Sequence, residues 1–234
     1  MNFFRSINNL FKFTEIKHQA NIFNYLKKIK LDSIIDIGAH KGDFSRKFIN
    51  DENIKNFFLF EPQLKFYKYL LNKFKNNKKI KIYNVAIDTV NNKIKKIALN
   101  VDPTTSSLAK IDKNSLLYKI KNIILNSKDN YYSSQKVRTL RLDYFLKKKK
   151  INRISLLKID TEGYEMKVIK SLGSDIKKIK YILLELKFIH FYKNYSQKKI
   201  GEYLLKNKFI LMKNFKNPMM HYQDSLYINK KILW

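Results

Sequence analysis

The run Ser33-Ile34-Ile35-Asp36-Ile37-Gly38-Ala39-His40-Lys41-Gly42-Asp43 sets the architecture. A β-branched stretch ends at a glycine, and a second glycine follows four positions later. Such a run reads as a buried strand that turns tightly into a helix. Gly38 allows the sharp turn and presents no side chain to an approaching ligand. Gly42 stands at the helix entry, where backbone amides face whatever binds there. Asp36 is placed to meet a cationic group such as an amine. A plain tight turn would use the same two glycines, so this run alone does not name a ligand.

The flanking sequence repeats the pattern. Phe57-Phe58-Leu59-Phe60-Glu61-Pro62 reads as a second buried strand stopped by proline. A helix carrying Phe66, Tyr69, Leu70 and Phe74 follows, then a third strand from Ile80 to Val85. Strand, helix, strand, helix, strand is the signature of parallel βαβ units. Their right-handed crossovers gather the strand carboxyl ends on one edge. Two more buried strands are expected at Ile154–Ile159 and Tyr181–Leu186, with a helix from about Tyr164 to Leu172 between them. The tail is expected to add a helix near Gln197–Lys206 and a hairpin built from Phe209–Leu211 and Leu226–Ile228. Residues 1–30 read as a helical lead-in and residues 31–234 as one domain. Within it, the polar segment at about 102–135 reads as a lid-like insertion with one amphipathic helix.

The composition narrows the field further. The 234 residues are 44% apolar and 14% aromatic, enough to bury a core. Cysteine is absent, which excludes disulfides, thiolate metal sites and cysteine nucleophiles. No apolar run is long enough to span a bilayer, and the first residues lack the layout of a signal peptide. The expected location is the cytoplasm. Net charge is +30, from 49 Lys+Arg against 19 Asp+Glu. That charge suits nucleic acid or anionic lipid. Only five of the 49 are Arg, however, and the Lys are scattered along the chain, which reads as compositional drift rather than a dedicated polyanion site. Phosphate-loop, zincin and serine-hydrolase motifs are missing.

Chemistry-bearing residues fall at the expected strand ends, where open α/β sheets bind ligands. Glu61 ends the second strand and suits the two hydroxyls of a ribose; as an alternative, it is the acid before a helix N-terminus. Lys158-Ile159-Asp160-Thr161-Glu162-Gly163-Tyr164-Glu165 clusters three acids where a strand meets a helix. Helix capping accounts well for Glu165 and poorly for Asp160. Glu185 ends the next strand, with His190 five residues on; together they suit proton removal from a hydroxyl. His190 reads equally as a histidine packed between Phe188 and Phe191. His18 and His221 carry no such context.

Taken in order, these segments resemble the FkbM family of S-adenosylmethionine-dependent methyltransferases. The resemblance runs from about Ser33 to Leu186. It rests on Ile35-Asp36-Ile37-Gly38-Ala39, Phe60-Glu61-Pro62, Val85-Ala86-Ile87, Thr105-Ser106-Ser107-Leu108, Leu140-Arg141-Leu142-Asp143, Leu157 to Glu165, and Leu184-Glu185-Leu186. It implies a Rossmann-like class I methyltransferase fold: an α/β sandwich around a seven-stranded, mostly parallel sheet of order 3-2-1-4-5-7-6, with helices on both faces. It implies S-adenosylmethionine as cofactor, with Asp36, Gly38, Ala39, His40 and Gly42 around its methionine part. Glu61 and Pro62 would lie at its ribose, Ala86 beside its adenine, and Asp160 at its methyl group. His40 departs from the family, which has Asn there. The implied reaction is O-methylation, with Asp160, Glu185 and His190 as catalytic candidates and a small-molecule or saccharide acceptor. A divalent cation held by Asp160 and Glu185 is the less favoured variant. RNA methylation is the competing activity. A non-catalytic polyanion or membrane-surface binder, using the Phe-rich basic start Asn2–Lys12, is the competing class.

Overall fold

The computed structural model describes residues 2–100, 106–110, 112, 114–115, 131–188, 192–218 and 222–232, excepting the side chains of 2–12, 100, 131 and 132. Helix α1 (Asn2–Leu26) leads into β1 (Ser33–Ile37), the short α2 (Asp43–Arg46), β2 (Asn56–Phe60), α3 (Leu64–Lys73) and β3 (Ile80–Tyr83). Then come β4 (Ala86–Ile87), β5 (Ile94–Asn100), β6 (Tyr131–Leu140), α4 (Leu142–Lys148), β7 (Ile154–Ile159) and α5 (Glu165–Lys170). A 3₁₀ turn (Gly173–Lys178), β8 (Ile179–Lys187), α6 (Gln197–Lys206), β9 (Phe209–Lys216) and β10 (Tyr222–Asn229) complete the described chain.

Seven strands form one sheet in the order β3-β2-β1-β7-β8-β10-β9. Numbered within that sheet alone, this is the expected 3-2-1-4-5-7-6. β1 pairs in parallel with β2 and β7, and β10 runs antiparallel to both of its neighbours. The strands alternate their side chains between two apolar layers, as the period of two requires. Ile35, Ile37, Phe58, Phe60, Leu157 and Leu184 face α4, α5 and α6. Ile34, Phe57, Leu59, Leu156 and Leu183 face α1, α2 and α3. The lead-in helix is thus part of the core: its Ile22 and Leu26 are buried against the sheet. Its His18 is buried as well, with Nε2 2.8 Å from Asp224 Oδ2 on β10.

Three strands not foreseen from the sequence, β4, β5 and β6, form a second sheet of order β4-β6-β5. β5 and β6 are antiparallel and pair from Ile94 opposite Arg138 to Asn100 opposite Tyr131. Residues 131–135, expected in the insertion, are therefore strand. The apolar cluster expected as the insertion's helix, Leu116 to Ile124, lies outside the described residues, as does His190. No described helix is long and apolar enough to cross a membrane.

Candidate active site

The carboxyl ends of β1, β2, β7 and β8 open into a cavity of about 1120 Å³. That is at or above the roughly 300–1,000 Å³ usual for ligand pockets. The β1 turn is tied to β2 at three points. The amides of Gly38 and Ala39 donate to the Phe60 carbonyl, at 3.0 and 3.2 Å. The His40 amide donates to Glu61 Oε2 at 2.8 Å. Glu61 Oε1 accepts from the Gln63 amide at 2.8 Å. Each Glu61 oxygen thus has one backbone donor and retains a lone pair. Burial pushes this carboxyl up to about 7, against the pull of those two amides.

Gly38 has φ +79°, and a β-carbon there would lie 1.9 Å from the main-chain oxygen of Asp160. Its bare α-carbon thus accommodates the neighbouring strand end as much as any ligand. Gly42 (φ +71°) precedes α2 and is packed under Leu70 and Phe74, away from the cavity. His40 is also left-handed, at φ +47°. Its ring lies 3.9 Å from that of Phe66, and its buried Nε2 has no hydrogen-bond partner. Burial, aided by the charge of Lys41, holds His40 below its ordinary pKa.

The expected residues Gly38, Ala39, His40, Glu61, Pro62, Ala86, Asp160 and Glu185 all line this one cavity. Asp36 does not. It is fully buried behind the β1 turn, accepts from Ser45 Oγ at 2.8 Å, and faces Lys158 Nζ at 3.4 Å. Lys158 then reaches Asp160 Oδ2 at 3.2 Å, so the path from Asp36 to the cavity runs through this ammonium. Burial works to lower the Lys158 pKa, but Asp160 and Asp36 overcome it and drive it well up.

The sequence pattern does not single out two of the lining groups, Lys187 and Glu15. Lys187 Nζ pairs with Glu162 Oε1 at 3.0 Å and with Glu185. Tyr192 OH donates to the other Glu162 oxygen at 2.8 Å. Burial raises the pKa of both Glu162 and Glu185, and Asp160 adds to the effect. Helix α1 contributes Glu15, whose Oε2 accepts from Tyr222 OH at 2.5 Å and from Asn217 Nδ2 at 3.3 Å. From the second sheet side, Ser107 Oγ donates to the Thr161 carbonyl at 2.9 Å, holding residues 106–108 at the cavity. Glu165 is structural: its Oε1 accepts from the amides of Thr161 and Gly163 and from Thr161 Oγ1.

Residues 36–211 match the methyltransferase FkbM domain family. The chain is similar in fold to the methyltransferase FkbM of Methylobacillus flagellatus KT, with TM-score 0.53, 11% identity, and 85% of this chain against 44% of that one. It thus spans less than half the length of that protein. The methyltransferase domain of bacterial CtHen1-C gives TM-score 0.53 at 7% identity, covering 92% of this chain and 98% of that one. An uncharacterized protein of Listeria monocytogenes serotype 4b gives 0.52 at 10% identity, covering 93% and 70%. No curated protein matches the chain.

Proposed function

Because the chain belongs to the FkbM methyltransferase domain family, we propose that it is an S-adenosylmethionine-dependent methyltransferase acting on a hydroxyl of a saccharide or other small molecule. The observation that carries the cofactor assignment is the bond from the His40 amide to Glu61, which welds the glycine turn and the strand-end acid into one wall. The residues fit the cofactor. Glu61 keeps an acceptor site on each oxygen for a ribose hydroxyl. His40 Nε2 is a buried polar atom awaiting a partner. Ala86, buried beside Val85 and Ile97 in the lining, offers an apolar seat for adenine.

Bound S-adenosylmethionine would supply an activated methyl group on a sulfonium. The protein's task is then to align the acceptor oxygen and take its proton. Asp160 is the first candidate: it lines the cavity and is steered by Lys158. Glu185 is the second; burial raises its pKa well above the ordinary value, against the pull of the Lys187 ammonium beside it. His190 stays a candidate on sequence grounds alone. Asp160, Glu162 and Glu185 also place carboxylate oxygens within 4.8 Å of one another, the arrangement a divalent cation would use. The Lys187 ammonium already occupies part of that role, so the cation is the less favoured variant.

Calorimetric titration with S-adenosylmethionine tests the cofactor reading, with Glu61→Ala as the control that should weaken binding. Absence of binding by the folded wild-type chain would remove it. RNA methylation is the second reading, favoured by Lys41, Arg46 and Lys47 on the lining. Tight RNA binding that resists salt would support it.

A further inference from the structure

One end of the cavity holds more negative than positive charge. Lys158 Nζ spans Asp36 (3.4 Å) and Asp160 (3.2 Å), and Lys187 Nζ spans Glu162 (3.0 Å) and Glu185. Three carboxylates on the lining, with Asp36 buried behind it, thus share two ammoniums. The neighbouring Asp224, opposite Glu185 across β8 and β10, is paired with His18 and brings no spare positive charge. In a chain whose basic residues outnumber its acids 49 to 19, this local inversion is a property of the site and not of the composition. The groups are mostly buried: the Lys158, Lys187, Glu162 and Glu185 side chains are each less than one-fifth exposed. Solvent screens such a surplus poorly. Burial, with Asp160 adding to it, raises Glu162 and Glu185, so a cation brought beside them favours their ionised form.

S-adenosylmethionine and the S-adenosylhomocysteine left after transfer differ by one methyl group and one positive charge. We infer that the carboxylate surplus of Asp36, Asp160, Glu162 and Glu185 makes this pocket select the charged cofactor over its uncharged product. The inference rests on the methyltransferase reading above. Methyl transfer to a hydroxyl turns the sulfonium into a thioether and sends the hydroxyl proton to a base, so transfer itself removes the charge that the cluster holds. Product retention is weakened by the reaction.

Calorimetry on the full chain with each molecule in turn reads the preference directly. S-adenosylmethionine is expected to bind at least about tenfold more tightly, since a unit charge near partly buried carboxylates is worth that much or more. Asp160→Asn should pull the ratio towards one by weakening the cofactor and not the product. Glu162→Gln should do the same, and it supplies the test if Asp160→Asn fails to fold by circular dichroism. Glu61→Ala should weaken both ligands alike. Equal wild-type affinities, or a ratio unmoved in both cluster variants, would overturn the inference and leave the methyltransferase reading standing. Binding of neither molecule would overturn that reading itself. Stoichiometric binding of magnesium alone, lost in Asp160→Asn and abolishing the preference, would assign the missing charge to a metal and overturn the inference as well.

Discussion

The main-chain oxygen of Asp160 lies 1.9 Å from where a β-carbon on Gly38 would stand. The residue that bends the chain after β1 and the residue that brings an acid to the cavity after β7 are therefore in direct contact. Gly38→Ala adds a backbone clash to a φ of +79° that alanine resists. The expected loss of stability is about 2–5 kcal/mol, read from the urea midpoint. A variant as stable as wild type would show that the two strand ends are not so close.

Glu61 predicts a pH dependence. A ribose hydroxyl donates to the ionised carboxylate, whose pKa burial pushes up to about 7. Affinity for S-adenosylmethionine should therefore rise with pH through about 7 and level off above about 8. His40, held below its ordinary value, gives up its proton at lower pH. Glu61→Gln should flatten the rise. The stability sign is opposite. The folded value exceeds the ordinary 4.5, so this group's contribution is complete below that value and is lost as pH rises through about 7. A calorimetric pH series with no slope between about 6 and 8 would contradict the assignment.

The large sheet was legible because its central strands are continuous apolar runs closed by glycine, proline or an acid. Parallel strands buried on both faces require that composition. The second sheet was not. β6 reads Tyr-Tyr-Ser-Ser-Gln-Lys-Val-Arg-Thr-Leu, a polar strand that pairs with both β5 and β4 and buries Val137 and Thr139. Glu61, Asp160 and Glu185 were legible as acids at strand ends. Asp36 was legible as an acid facing a cation, but it lies behind the cavity and not on it: only the fold reveals that Lys158 turns inward beside it. The signal for Lys158 was a lysine enclosed by Leu157 and Ile159 in a buried strand. His18 gave none, since its partner Asp224 lies 206 residues away.

Lys158 predicts a non-additive pair. Lys158→Met leaves Asp36, fully buried, with only the Ser45 hydroxyl. Stranding a buried charge costs about 3–5 kcal/mol. Asp36→Asn in the same chain removes that charge and should restore much of the loss, because a neutral pair of similar shape carries little penalty. Denaturant unfolding of the two single variants and the double variant closes the cycle. Additive losses would mean that the two residues are energetically independent.

The charge of the whole chain and the charge of the cavity make opposite predictions for RNA. A net +30 attracts any polyanion, through counterion release that weakens steeply with salt. Binding of a generic single-stranded RNA should therefore fall by roughly a hundredfold or more between 50 and 200 mM salt, as expected for several phosphate contacts. The cavity presents Asp160, Glu162 and Glu185 to an entering acceptor, with Glu15 on the α1 wall. A phosphate backbone can be held by Lys41, Arg46 and Lys47 of the lining, but these carboxylates oppose its approach to Asp160. Saturating RNA at low salt should then leave the affinity for S-adenosylmethionine unchanged, measured by calorimetry in the same buffer. RNA that still binds at about 0.5 M salt and alters cofactor affinity would mean that a nucleotide reaches the site, and the saccharide acceptor would give way to RNA.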